Sequence, residues 1–261
     1  MGNNGLRTIG LPIAALALFI GFWELYCYLS GIENYTLPAP SDIVIRLMDD
    51  LELLWYHFKA TLSLSMMGLG LGLAVGVLLA VIIHSVPLLR EAIAPLLVLS
   101  QNVPSIALGP LLMIWFGYDL TPKLILLVIV TFFPISLSML TGLGQAEPNL
   151  REYLSMIGAS RWEKMKRLEF PASLSYLFSG LKISATYVVS SATIAEWLGG
   201  GKGMGYYLQL KFKGYDMPAM FGSIVCIVAL SIAFFGIVAL LERLVIRWRP
   251  RSQRGWKAVT K

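Results

Sequence analysis

Charge is what this chain has least of. Only 14% of its 261 residues are Asp, Glu, Lys or Arg, whereas 57% are hydrophobic. A soluble domain carries about 25% charged residues, so the composition points away from a soluble domain and toward a polytopic membrane protein. The two cysteines, Cys27 and Cys226, are too few for a disulfide framework and lack metal-ligand spacing. Both fall in apolar runs and read as small buried hydrophobes. The two histidines, His57 and His84, have no metal-ligating neighbour at useful spacing. No Ser/His/Asp, Cys/His or paired-carboxylate set is evident, which argues against an enzyme and against a metal or cofactor held by this chain. A phosphate-binding loop is also missing. Residues 199–205 are glycine-rich, but Gly203 rather than Ser or Thr follows Lys202, and no glycine sits five positions before Gly201. This segment is expected to be a flexible turn on the exterior side. If the protein uses ATP, another chain binds it.

Long apolar runs are what the chain has instead. Those at 9–29, 60–84, 92–115, 123–143, 174–195 and 219–241 each meet the ~20 residues needed to span a bilayer. They predict an all-α polytopic membrane protein of about six transmembrane helices, organised as one domain over 1–261 with a core at 60–246 and an extra N-terminal helix at 9–29. Arg7 and Ala15-Leu16-Ala17 give that first run a likeness to a signal peptide. Apolar sequence continues through Trp23 and Tyr26, however, so an uncleaved anchor is expected. With an even number of spans both termini share a side. Arg7, Arg90, the basic residues of the 144–170 loop and those of the tail from Arg243 lie there, and far fewer face the other way. The positive-inside rule makes that side cytoplasmic. The same asymmetry accounts for the net charge of +6 without nucleic acid. The tail around 247–251 reads as an anchor on anionic lipid.

Within this frame several segments stand out. Leu37-Pro38-Ala39-Pro40 breaks an exterior loop and Ser41-Asp42 offers a helix start. Ile43, Leu47, Leu51 and Leu54 then recur on one face, as in a short amphipathic helix along the membrane surface. Gly68, Gly72 and Gly76 form a smooth strip for close helix approach, within the chain or between subunits. Pro104, Pro110 and Pro134 can bend their helices, and such breaks are tolerated beside protein or a water-lined cavity. Gln101, Asn102 and Ser105 near the first break either line a pathway or bond between helices. Lys182, inside the fifth run, is a counter-charge for an anionic solute, a snorkelling lysine or a dimer contact. Ser190 belongs to a mildly polar face with Ser184, Thr186, Ser191 and Thr193. Glu196 and Trp197 mark an outer gate or the membrane interface.

The most informative stretch is 152–171, EYLSMIGASRWEKMKRLEFP, polar and helix-prone between apolar runs. Such a segment suits a surface that docks a soluble partner. Glu152, Ser155, Ala159 and Trp162 fall near one helical face, Gly158 and Ala159 are small, and Pro171 suits the first turn of the next span. Lipid headgroups offer the alternative partner for its basic residues.

At this point the chain resembles the membrane subunits of type I ABC importers. Their cytoplasmic signature runs Glu-Ala-Ala, three residues, Gly, nine residues, Ile-x-Leu-Pro. Here Glu152-Tyr153-Leu154, Gly158 and Leu168-Glu169-Phe170-Pro171 meet every spacing, with Tyr153 and Leu154 in place of the alanines and Leu168 and Phe170 in place of Ile and Leu. The 37–40 segment is similar to the branch serving nitrate, sulfonate, taurine and hydroxymethylpyrimidine-type thiamine precursors. Gln101-Asn102-Val103-Pro104, Ile114-Trp115-Phe116-Gly117 and Thr121-Pro122-Lys123 are most similar to its pyrimidine members.

The resemblance implies a permease of the cytoplasmic (inner) membrane. Its coupling helix, in segment 149–171, would contact an ATP-hydrolysing subunit through Glu152, Gly158, Ala159, Ser160 and Arg161. It also implies a second permease copy, by default an identical one, two ATP-binding subunits that hold ATP and Mg, and an extracytoplasmic substrate-binding protein. Gln101, Asn102, Ser105, Lys182 and Ser190 are then the candidate translocation pathway, with Glu196 as outer gate. The expected cargo is a thiamine-precursor pyrimidine or related small heterocycle, with nitrate, sulfonate or taurine as alternatives. Two other classes compete. An ion-gradient-driven carrier usually shows paired broken segments and intramembrane acids, neither of which is seen here. A membrane scaffold that recruits a soluble enzyme would explain 149–171 but not its fit to the importer signature.

Overall fold

The computed structural model describes residues 3–100 and 104–247, which are helical with no strand among them. Among the described residues four helices are long and apolar enough to cross a membrane: α1 (Asn3–Ser30, through its part Gly10–Ser30), α3 (Leu51–Ser85), α6 (Leu120–Gly144) and α11 (Met217–Val245). A fifth long helix, α9 (Phe170–Gly199), covers the expected fifth span but is diluted by serines, Lys182 and Glu196. The expected third span is not one helix. It divides into α4 (Pro87–Ser100) and α5 (Ser105–Phe116), and α5 has only 12 residues. Pro104 is the reason on the α5 side: it caps that helix in extended geometry, φ −68° and ψ 118°, and has no N–H to continue a helical ladder. Pro110 and Pro134 lie inside α5 and α6 without ending them.

The described residues fall into two compact units, one within Met1–Leu64 and Ala192–Leu230, the other within Ser65–Ser191 and Ser231–Lys261. In the second, the glycine strip is an intramolecular seam. A Cβ on Gly68 would lie 2.5 Å from Leu127, one on Gly76 2.8 Å from Ile135, and one on Gly72 would collide with Thr131, all on α6. Gly70, off the strip, faces open space. In lipid such association is driven by close packing and hydrogen bonds rather than by expulsion of water. Thr131 and Ser136 add the bonds. Ser136 donates to the Gly76 carbonyl at 3.0 Å, and Ser184 of α9 donates to the Thr131 carbonyl at 2.8 Å. Gly180 of α9 packs so closely that a Cβ there would lie 2.6 Å from the Pro134 carbonyl.

In the first unit, α2 (Pro40–Asp49) starts with Pro40 in its first turn and ends at Asp50. It is therefore shorter than the sequence pattern suggests. Leu51 and Leu54 belong to α3, Leu51 is exposed, and Leu54 is buried with Met204, Tyr207 and Ala219. Nor does α2 lie free on a surface, since Ile43 is buried and Leu47 occupies the space over Gly222 of α11. A charged knot closes this end. Arg46 donates twice to Asp216, at 3.0 and 2.8 Å, and Lys211 of α10 (Met204–Lys213) pairs with Asp50. Burial works to raise both carboxyls. Hydrogen bonds and charge from Lys211 and Arg46 outweigh it, so Asp50 and Asp216 sit below the usual carboxylate range. The α1 face is mostly exposed apolar side chains, including Leu18, Phe19 and Phe22, as a lipid-facing helix requires.

Candidate functional site

The 148–171 segment is an elbow, not one helix. Pro148 begins α7 (Pro148–Met156), where its missing N–H costs nothing. The chain then turns at Gly158, whose φ of +78° is a conformation that side chains with a Cβ rarely adopt. The Ala159 N–H donates back to the Leu154 carbonyl at 2.9 Å. A capping box restarts the helix as α8 (Arg161–Lys164): the Glu163 N–H donates to Ser160 Oγ at 3.3 Å, and the Ser160 N–H donates to Glu163 Oε2 at 2.8 Å. That backbone bond, with the Ser160 hydroxyl, holds the Glu163 carboxyl below its ordinary range. Lys164 Nζ braces the elbow by donating to Ser155 Oγ at 2.8 Å. The face expected from spacing does not survive the turn at Gly158, because Glu152 and Ser155 precede it while Ala159 and Trp162 follow it.

Beyond α8 a π-helical turn, Met165–Glu169, runs into α9 without a loop, with the Phe170 N–H reaching the Met165 carbonyl. Pro171 lies just after it. Proline cannot donate to the carbonyl four residues back and crowds it, and a locally widened turn relieves both problems. Pro171 thus does sit in the first turn of α9, but on a helix already under way.

One carboxylate anchors the elbow. Glu169, 9% exposed, places Oε1 at 2.9 Å from Arg151 Nη2 and Oε2 at 3.0 Å from Nε2 of His84, at the end of α3. Beside it lies a cavity of about 510 Å3 lined by His84, Arg151, Arg161, Trp162, Lys164 and Glu169 among others. Three permanent cations against one carboxylate make it electropositive. On the outside the elbow presents large apolar side chains: Tyr153, Met156, Ile157 and Trp162 are 59, 83, 60 and 68% exposed. None of α7 is buried. The structure thus brings Glu152, Gly158, Ala159, Ser160 and Arg161 together on one elbow, with all but the half-buried Ala159 exposed. Arg151, Glu169 and His84 escaped the sequence reading. The available signal was Glu169 itself, an acid between Leu168 and Phe170 in an otherwise apolar motif.

The pathway candidates are dispersed. Gln101 and Asn102, like the 248–251 part of the tail, lie outside the described residues. Ser105 is half-buried at the start of α5. Lys182 is paired with Glu242 of α11 at 2.9 Å, a charge in the last helix that the span reading did not include, so it does not stand as a free counter-charge. Ser190 and Thr186 are exposed while Ser184 and Ser191 are buried, so the polar residues of α9 occupy two faces rather than one.

In the other unit Glu196 is 1% exposed. Its carboxylate accepts from the Thr61 hydroxyl at 2.8 Å and from the Gly205 N–H at 3.0 Å, and the Met204 N–H donates to Thr61 Oγ1 at 2.7 Å. Buried His57 accepts the Gly203 N–H at Nδ1, 3.1 Å away. The 199–205 segment is therefore pinned rather than loose. Gly203, at φ +118°, leaves no room for a Cβ against the Glu196 carboxylate.

Comparison with known proteins gives a consistent picture. Residues 72–247 match the family model described as binding-protein-dependent transport system inner membrane component. The chain is 33% identical over 242 residues to the formylaminopyrimidine transport permease protein ThiX of Halalkalibacterium halodurans, covering 92% of this chain and 96% of that one. It is 31% identical to the riboflavin transport system permease protein RibX of Chloroflexus aurantiacus, covering 92% and 90%. It is 27% identical to the taurine transport system permease protein TauC of Escherichia coli, covering 96% and 90%. Among solved structures, the inward-facing MetNI methionine ABC transporter shares the fold, with TM-score 0.66 and 18% identity over 75% of this chain and 97% of that chain.

Proposed function

This chain belongs to the family of binding-protein-dependent transport system inner membrane components and is the permease of an ABC importer in the taurine, sulfonate and ThiX branch, and from that premise we propose that its 148–164 elbow is the docking element for a separate ATP-hydrolysing subunit. The observation that carries the proposal is the outward display of Tyr153, Met156, Ile157 and Trp162 on an element with nothing buried in α7. Large apolar side chains on a polar segment are what a protein interface uses at its centre. The capping box and the Lys164–Ser155 brace keep them in one geometry without a partner, which lowers the ordering cost of docking. The electropositive cavity beside Trp162 suits an acidic group of that partner.

In this reading the permease is one transmembrane domain over 1–261 and is not itself an enzyme. ATP and Mg belong to the partner. Two copies of this chain, two ATP-binding subunits and an external binding protein make the importer, and both termini with the elbow face the cytoplasm. ATP and the loaded binding protein each bind one state of the permease better than the other, and that differential binding drives the switch. A pyrimidine-type heterocycle is the proposed cargo, supported by the likeness to ThiX and RibX.

The test is co-purification of the ATP-binding subunit through a tag on this chain. Met156→Asp places a charge where the side chain is exposed, so folding is spared and capture is expected to fall at least about tenfold, as loss of a central interface contact predicts. Undiminished capture by Met156→Asp and by Trp162→Ala would show that the ATPase docks elsewhere.

A further inference from the structure

Inside the second unit, α5, α6 and α9 enclose a recess of about 430 Å3. Phe133 of α6 and Tyr187 of α9 line it, together with Ser105, Ser138, Val130 and Pro134. We propose that this recess is a binding site for an uncharged, planar heteroaromatic solute. The inference rests on the importer reading above and deepens it by separating a neutral ring from a sulfonate or nitrate.

Its volume lies within the range of about 300–1,000 Å3 usual for small-molecule sites. Tyr187 is 57% exposed, so its ring is available and not consumed in packing. An aromatic side chain offers a flat solute a stacking face, and the serine hydroxyls can both donate and accept. Pro134 has no N–H for the Val130 carbonyl, so that carbonyl lacks its usual α-helical donor, and both residues line the recess, where a ring N–H or amino group could serve it.

Charge decides against the anions. Among the described residues, none that lines the recess is acidic or basic. An anion buried there would lose its water without gaining a counter-charge, a cost that a neutral heterocycle avoids. Lys182, on the same helix as Tyr187, is held by Glu242 at 2.9 Å and is not free to supply that charge. A sulfonate site would require a cation at the recess, and none lines it among the described residues.

The experiment uses the whole importer, permease with ATP-binding subunit and binding protein, in proteoliposomes. The probes are radiolabelled formylaminopyrimidine and taurine. The expected result is uptake of formylaminopyrimidine by wild type, about a tenfold loss in Tyr187→Ala and in Phe133→Ala, and recovery of most of that loss in Tyr187→Phe. Assembly is followed by co-purification and by cross-linking of the permease pair. If wild type imports the pyrimidine and both alanine variants import it equally well, the recess is not the solute site although the import reading stands. If wild type imports taurine, or neither probe, the neutral-ring assignment falls together with the proposed cargo. If Tyr187→Ala loses uptake only because the permease pair no longer forms, this face is a contact between copies and the proposal is overturned.

Discussion

Two buried acids in this protein are held in opposite ways. Glu169 is shared between two basic side chains, Arg151 at 2.9 Å and His84 at 3.0 Å, at the root of the exposed elbow. Glu196 is more deeply buried and draws on neutral donors, the Thr61 hydroxyl and the Gly205 N–H, in the other unit. The first arrangement ties distant elements together through charge and leaves one cation, Arg151, partly in water. The second uses fixed dipoles to shape a glycine turn that would otherwise be loose. A charge-paired acid makes an adjustable anchor, whereas an acid solvated by backbone and hydroxyl makes a fixed mould.

The comparison can be broken most severely at the mould. Glu196→Leu strips partners from the Thr61 hydroxyl and the Gly205 N–H, and each unsatisfied buried group costs roughly 1–3 kcal/mol. Thermal unfolding of the purified permease should show a drop of several degrees at least. An unchanged midpoint would mean that these bonds do not hold the turn.

The anchor should yield less. Glu169→Gln preserves shape and hydrogen-bonding atoms but removes the charge. Because Arg151 remains 41% exposed, screening limits the loss to about 1 kcal/mol or below. Part of the wild-type advantage should vanish in high salt, whereas Glu196→Leu should stay equally damaging at any salt. Matching salt dependence in the two variants would erase the distinction.

The smallest effect sharpens the comparison from a third site, the charged knot of Arg46, Asp50, Lys211 and Asp216. Asp50 and Asp216 titrate lower in the fold than in the unfolded chain. Their contribution is complete above about pH 4, the unfolded aspartate value, and is lost as pH falls further toward the folded values. Unfolding midpoints recorded from pH 7 downward should hold level until about pH 4 and then decline. In the double variant Asp50→Asn, Asp216→Asn that late decline should flatten. A decline unaffected by the double substitution would assign it to other carboxylates.

The sequence showed what depends on neighbours along one helix or on a motif with fixed spacing. The Gly68-Gly72-Gly76 strip announced a close seam because every fourth residue shares a face, and the 152–171 signature marked a polar segment between apolar runs without its turn. What it hid depends on partners far apart in the chain. Lys182 and Glu242, or His84 and Glu169, are joined only after the helices pack. The break at Gly158 was hidden for another reason. Glycine is compatible with a helix, and only the φ of +78° turns it into a corner. Glu196 read as a gate because an acid beside a span end commonly meets water. Here the Thr61 hydroxyl and the Gly205 N–H supply the solvation instead.

The π turn at Met165–Glu169 carries a consequence of its own. Helix runs without interruption from Arg161 to Gly199, so there is no slack segment between Trp162 on the elbow and Tyr187 at the recess. Each residue in an α-helix advances the direction of its side chain by about 100°. The angular phase between the two aromatic rings is therefore an integer property of the chain, set by how many residues lie between them. The widened turn acts as an inserted tooth in that gear. Removing one residue there would disturb the spacing of the 152–171 signature by a single position and also turn the recess away from the bearing that the elbow now gives it.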